Sequence, residues 1–313
     1  MPDWLLERGI GETRMVRIEA DEIVEARIML DDLMPAGTIL KAQLRKVGIP
    51  AVAEAAGQEY LLPAGAPSVT QGATLRIEVV RERIPGAEPW KRPLARVTEE
   101  ECRVSPQIEA QALAFPAPGD RLEKAGWPDL LEEARSGVVR FPGGELRVSV
   151  TPAMTLIDVD GTLPPSDLAL AAADAAARAI LRHGIGGSIG IDFPTIAGKA
   201  ERQRVAAVID GILPQPFERT AVNGFGFLQI IRPRRHASMF ELAADRAAFE
   251  ARALLRQAAR ETGAIRLAAH PAVVAVLEDR SDWLEDLSRH AGGRVDLRAD
   301  PSLTISGGHA EKA

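Results

Sequence analysis

The sequence predicts a mixed α/β (α+β) protein in which a small β-barrel precedes a layered sheet with helices packed on it. Two observations predict this. Short apolar–polar alternating runs, punctuated by Gly and Pro, fill residues 13–98, the pattern of half-buried strands in a barrel. From Val138 the pattern changes to strands alternating with helices of roughly 10 to 15 residues, which argues for a sheet layered with helices.

Each element follows from its local chemistry. "TRMVRIEA" and "EIVEARIML", separated by Asp21 and Glu22, predict a β-hairpin. "GTILKAQLRKV", "EYLLPAG", "ATLRIEVVRERI" and "RPLARVT" predict the barrel strands between Ala36 and Thr98. Residues 106–119, rich in Ala and Pro without clear periodicity, are expected to be connection. "WPDLLEEARS" predicts a helix, with Pro128 near its start and Gly137 at its stop. "GVVRFPGGELRVSV" predicts a hairpin around the glycine pair, and "AMTLIDVDG" a strand ending at aspartate. A helix follows, with Ser166 as N-cap and Gly184 as its end. "GGSIGIDF" and "FGFLQIIRP" predict further strands around the helix "AERQRVAAVIDGIL". "MFELAADRAAFEARALLRQAARETG" predicts one long amphipathic helix.

Composition bounds the function. Hydrophobic residues make up 46% and charged residues 26%, ordinary for a globular protein. No apolar run approaches the roughly 20 residues that cross a bilayer, and the start "MPDWLLERGIGE" lacks a signal-peptide pattern, so a cytoplasmic protein with no membrane partner is expected. Cys102 is the sole cysteine, which excludes an internal disulfide and a multi-thiolate zinc site. A formal charge of −6 argues against gripping nucleic acid by bulk positive potential. The best local basic patch is "IIRPRRHA", residues 230–237.

The chemistry concentrates at two strand ends. Asp158 closes "MTLID" and Asp192 closes "SIGID", with one helix between them. Strand, helix, strand brings neighbouring parallel strand ends to one edge of a sheet, where open sheets hold ligands. Asp160 follows on the same side as Asp158, because strand side chains alternate. Three converging carboxylates repel one another unless a cation joins them, and oxygen ligands favour Mg²⁺ or Mn²⁺. The expected reaction is attack on phosphorus, with the metal stabilising charge and lowering the pKa of water. The bland alternative is that both aspartates shape the turn after a strand.

Two families resemble this text. "LIDVDGTL" resembles the first motif of the haloacid dehalogenase superfamily, which implies a phosphatase with Asp158 as nucleophile and Asp160 as general acid. That family also implies a later acidic pair, which neither "VLEDRSD", helical by pattern, nor "VDLRAD" supplies.

The wider order of "WLLERGIGETRMVRIEADEIVEARI", "AMTLIDVD", "AAADAAARAILRHGIGGSIGIDF", "RQRVAAVIDGIL", "GFGFLQIIRPR" and "HPAVVAVLE" resembles the ribonuclease E/G family over nearly the whole chain. The resemblance implies an RNase H-like region interrupted by an S1-like β-barrel and followed by a DNase I-like α/β catalytic region. Its boundaries here are 1–35 and 99–150 for the interrupted region with its connection, 36–98 for the barrel and 151–313 for the catalytic region.

The implied activity is Mg²⁺- or Mn²⁺-dependent endonucleolytic hydrolysis of single-stranded RNA in RNA processing or decay. Asp158 and Asp192 match the family's metal-binding aspartates, and Asp160 stands where the family has asparagine. Arg232, Arg234 and Phe225 match RNA-binding positions, with Gly226 completing the "FG" pair. Arg202 and Arg204 match further basic positions, and His270 matches a His-Pro that is expected to be structural. At the family's base-stacking positions the barrel offers Val52 and Leu61, with Tyr60 the sole nearby ring. The 5′-end sensor and the Cys-Pro-X-Cys zinc link have no counterpart, so no zinc-linked dimer is expected. The alternative from another class is a non-catalytic RNA-binding relative.

Overall fold

A computed structural model of the chain describes residues 4–85, 91–105, 109–117 and 119–312. It is a mixed α+β protein with a closed five-stranded barrel. The chain opens with β1 (Trp4–Arg8), β2 (Glu12–Glu19) and β3 (Glu22–Leu30). The β2–β3 turn is Ala20–Asp21, both at positive φ as the right-handed twist of a two-residue hairpin demands, and Glu22 already belongs to β3.

The barrel comprises β4 (Ile39–Lys46), β5 (Ala51–Ala55), β6 (Gln58–Leu62), β7 (Thr74–Arg81) and β8 (Leu94–Val97), closed in the order β4-β5-β6-β8-β7. All five lie within the expected 36–98. Alternation does the work: Ala42, Leu44, Tyr60, Leu62, Leu75, Ile77 and Val79 point inward and their neighbours face solvent.

After the barrel, β9 (Ala110–Leu113) returns to pair parallel with β1, giving a four-stranded sheet in the order β3-β2-β1-β9. The barrel therefore interrupts this sheet in sequence. Part of the expected connection is thus a strand, hidden by its short "AQAL" pattern; residues 106–108 and 118 of that stretch lie outside the described residues. Two helices follow, α1 (Arg121–Lys124) and α2 (Trp127–Ser136); α2 ends at Gly137 with φ 73°.

A six-stranded sheet holds the candidate site. It is built from β10 (Val138–Phe141), β11 (Gly144–Val150), β12 (Thr155–Gly161), β13 (Gly187–Asp192), β14 (Glu218–Arg219) and β15 (Phe227–Arg232), in the order β10-β11-β12-β13-β15-β14. The sheet starts at Val138, so the expected boundary at residue 151 falls inside it.

Helices α3 (Pro165–Arg182) and α4 (Lys199–Ile212) connect its strands. The cap of α3 is Pro164, with Ser166 in the first turn, where its hydroxyl donates to Glu201 Oε2 of α4 at 3.1 Å. Ala-rich α3 buries Leu168, Ala169, Ala172, Ala173, Ala176 and Ile180 in one core with Leu146, Ile157, Val159, Ile189, Ile191, Leu228 and Ile230. That core covers one face of the sheet.

The expected single long helix is two, α5 (Met239–Ala244) and α6 (Arg246–Ala258), broken at Asp245, whose carboxylate accepts from Ala248 N. The chain ends with β16 (Ile265–Ala269), α7 (Pro271–Glu278), α8 (Ser281–Ala291), β17 (Val295–Ala299) and β18 (His309–Lys312), a three-stranded sheet with its own core. His270 caps α7 by accepting from Ala272 N at 3.2 Å. Among the described residues no helix is long and apolar enough to cross a membrane.

Candidate functional site

The strand pattern of β12 sets the site's direction. Thr155, Ile157 and Val159 are buried toward α3, so Leu156, Asp158 and Asp160 must point to the opposite face, where all three are exposed. Strand β13 lies parallel to β12, reached through α3, and its register makes Asp192 the direct partner of Asp158. Neighbouring strands stand about 4.8 Å apart, so the two carboxylates sit side by side on the open face.

The row continues in both directions. Arg147 of β11 is the partner of Asp158, and Phe227 of β15 is the partner of Asp192, giving Arg147–Asp158–Asp192–Phe227 across four strands. Among the described residues, Asp158 and Asp192 accept no hydrogen bond and form no ion pair with a side chain.

The expected triple convergence of Asp158, Asp160 and Asp192 does not form. Asp160 lies two residues further along β12, opposite Glu145, and its Oδ2 accepts from Arg147 Nε at 2.9 Å. Arg147 also donates to Glu145 Oε1 at 2.6 Å. Asp160 and Glu145 therefore hold the guanidinium next to Asp158. Among the described residues no group of three or more His, Cys, Asp or Glu side chains is placed to hold a metal ion. The two-carboxylate site still suits Mg²⁺, which is commonly held by one or two carboxylates and completes its shell with waters and substrate phosphates.

Phe225 stands at the same end of the sheet, 84% exposed on the turn that leads into β15. Gly226 in that turn has φ 98°, and a Cβ there would lie 2.2 Å from Phe193 O, so only glycine fits. The same contact ties the turn to the residue after Asp192, since Phe193 N donates to Gly226 O at 3.2 Å. Arg202 steadies the other side, donating to Ile196 O and Ala197 O at 2.8 and 3.0 Å. A depression of about 480 Å³ lined by Lys199, Arg202, Gln203 and Arg219 lies between α4 and the edge of the sheet.

Arg232 and Arg234 are not brought to the carboxylates. Arg232 pairs in register with Gly187, five residues along β15 from the Asp192 partner, about 17 Å away. It donates to Ile185 O at 3.1 Å, and burial holds its guanidinium below the usual range. Arg234 is bound to Glu241, whose carboxylate also completes the capping box of α5. The resemblance matched these arginines to RNA-binding positions; the structure places Arg232 along β15, away from the carboxylate pair. In the barrel, Tyr60 is 1% exposed in the interior and presents no ring to a ligand.

Sequence patterns did not single out Arg147, Phe227 or Gly190 of β13. Arg147 was legible in principle, because the short connection between β11 and β12 forces an antiparallel pair with Arg147 opposite Asp158. No protein-family model matches the chain, and no curated protein matches its sequence.

Proposed function

We propose that the chain is a divalent-metal-dependent endoribonuclease of the ribonuclease E/G type, acting on single-stranded RNA. The observation that carries the reading is the direct register of Asp158 with Asp192, two exposed carboxylates of like charge side by side on a sheet face and, among the described residues, without a side-chain partner. Like charges directly opposite destabilise a sheet, so a cation between them relieves a strain the fold otherwise bears. The order of the chain supports the same family: a first sheet interrupted by a closed barrel, read as RNase H-like and S1-like, then the larger sheet, read as DNase I-like.

Asp158 and Asp192 would hold Mg²⁺ or Mn²⁺. When bound, the cation supplies charge neutralisation at phosphate oxygens and lowers the pKa of water. Arg147, fixed by Asp160 and Glu145, presents the nearest guanidinium to a phosphate at this pair, a role its planar fork suits. Phe225 contacts the RNA beside the pair, while Arg232 and Arg234 meet the strand only further along. With a chain charge of −6, affinity rests on these local contacts and falls less steeply with salt than for a basic binder.

The non-catalytic alternative draws on the buried Tyr60 and the two-ligand site. The phosphatase alternative gains nothing from the sheet, since β12 runs three residues past Asp158 and pairs antiparallel with β11.

The test is cleavage of an end-labelled single-stranded RNA with Mg²⁺. Internal cuts are expected, falling by about 10³-fold or more in Asp158→Ala and Asp192→Ala. No cutting by the native chain with Mg²⁺ or Mn²⁺ overturns the nuclease; binding without cutting supports the non-catalytic relative.

A further inference from the structure

Phe227 does not belong to the core of its sheet. Leu228 and Ile230 carry β15 into the core, whereas Phe227 lies on the open face with Gln229 and the exposed Ile231. Its ring crosses the neighbouring strand: a Cβ on Gly190 would lie 2.6 Å from Phe227 Cζ and 3.1 Å from Leu156 Cδ2. Gly190 has no positive φ, so its backbone does not require glycine. The missing side chain instead makes room for the ring. Phe227, with Leu156 beside it, thus forms an apolar surface over Gly190 next to Asp158 and Asp192.

The ring is also held in place. Asn223 Oδ1 accepts from Phe225 N at 2.9 Å and from Phe227 N at 3.0 Å, fixing the turn that feeds the strand. Around the carboxylate pair the open face carries Glu145 and Asp160 against Arg147, so the face is acidic. A duplex turns its phosphates outward and hides its base faces, and such a face repels it. A single strand offers base faces, whose stacking on an aromatic ring needs no positive potential.

We infer that Phe227, floored by Gly190 and flanked by Leu156, is a stacking platform for the nucleobase beside the phosphate at Asp158 and Asp192, and that it restricts the site to single strands. The inference rests on the RNA reading above. An aromatic ring over a cross-strand glycine also stabilises a sheet by itself, so the test has to separate the two roles.

The probe is a short single-stranded oligoribonucleotide carrying 2-aminopurine, with Ca²⁺ for binding and Mg²⁺ for cutting, alongside the thermal midpoint of each variant. Native chain is expected to quench the 2-aminopurine. Phe227→Leu and Gly190→Ala are expected to bind about 5- to 100-fold more weakly with the quench lost, and Phe227→Trp to retain it. A native chain that quenches but does not cut supports the platform and removes the nuclease. A native chain that cuts, with Phe227→Leu quenching and cutting equally well, overturns the platform and leaves the nuclease standing. Unchanged quenching with a lowered midpoint in both variants assigns the ring a purely structural role and overturns the inference. A native dimer that becomes monomeric in Phe227→Leu, with no quench in either, shows the ring covered by a second copy and overturns it too.

Discussion

Two regions of this protein treat acidic side chains in opposite ways. Between the first sheet and helices α1, α2 and α6, buried charges are matched. Arg14, 1% exposed, donates to Glu7 Oε1 at 2.9 and 2.5 Å and to Asp120 Oδ2 at 2.9 Å. Arg256 pairs with Glu12, Arg260 reaches Asp120 at 2.8 Å, and Arg14 lies over the Trp127 ring at 4.8 Å. On the open face of the six-stranded sheet, Asp158 and Asp192 stand side by side, exposed and, among the described residues, without a side-chain partner. The difference teaches where a ligand belongs. Burial makes an unmatched charge too costly to keep, whereas an exposed like-charged pair persists at modest cost and leaves its oxygens free for a cation.

The matched region breaks hardest. Arg14→Met leaves Glu7 buried without its cation and Asp120 with Arg260 alone, and is expected to cost about 3–5 kcal/mol in denaturant unfolding. Burial already pushes the Glu7 carboxyl above its usual range, with Arg14 opposing that shift. A loss below about 1 kcal/mol would mean the seam is solvated in solution.

The open face should respond to metal instead. Mg²⁺ or Mn²⁺ at about 100 times its Kd is expected to stabilise the native chain by about 2.7 kcal/mol, reversed by chelation and absent in Asp192→Asn. Equal stabilisation of both chains would place the ion elsewhere.

A third test uses pH at His236. Burial, with Arg27 nearby, lowers the His236 pKa from 6.5 to about 4. Below pH 6.5 the unfolded chain takes up a proton that the folded chain refuses, so His236 favours folding fully above pH 6.5 and progressively less down to about pH 4. The unfolding free energy of the native chain relative to His236→Gln should therefore fall by up to about 3 kcal/mol over that window. A pH-independent difference would contradict the burial of this ring.

The smallest effect has the opposite sign to the first. Without metal, Asp192→Asn removes a like charge opposite Asp158 and is expected to stabilise the chain by about 0.5–1 kcal/mol. Destabilisation would reveal a partner for Asp192 within the protein.

Much of this architecture was legible in the chain, for local reasons. Alternation located four of the five barrel strands, missing the Ala-rich β5, and strand–helix–strand spacing placed Asp158 beside Asp192. Other features were hidden by the same local character of the signal. The five residues of β1 and the four of β9 are too short to show a period, and the apolar stripe that runs through α5 and α6 conceals the break at Asp245. Arg232 and Arg234 looked close to the site because they follow the "FG" pair in sequence. An extended strand instead carries Arg232 about 17 Å from it. Asp160 looked like a third ligand because it shares a face with Asp158, yet only the hairpin partner Arg147 decides what its carboxylate does.

The sequence by itself determined periods, turns and faces: which residues of β12 share a face, and that two aspartates close successive strands. Only the tertiary structure decided which charges meet. Glu12 finds Arg256 across 244 residues, and Arg147, the register partner of Asp158, finds Asp160 and Glu145 instead. The physical reason is that side-chain alternation acts over two residues, whereas strand order follows from how helices such as α3 close a shared core, and no short stretch carries that information.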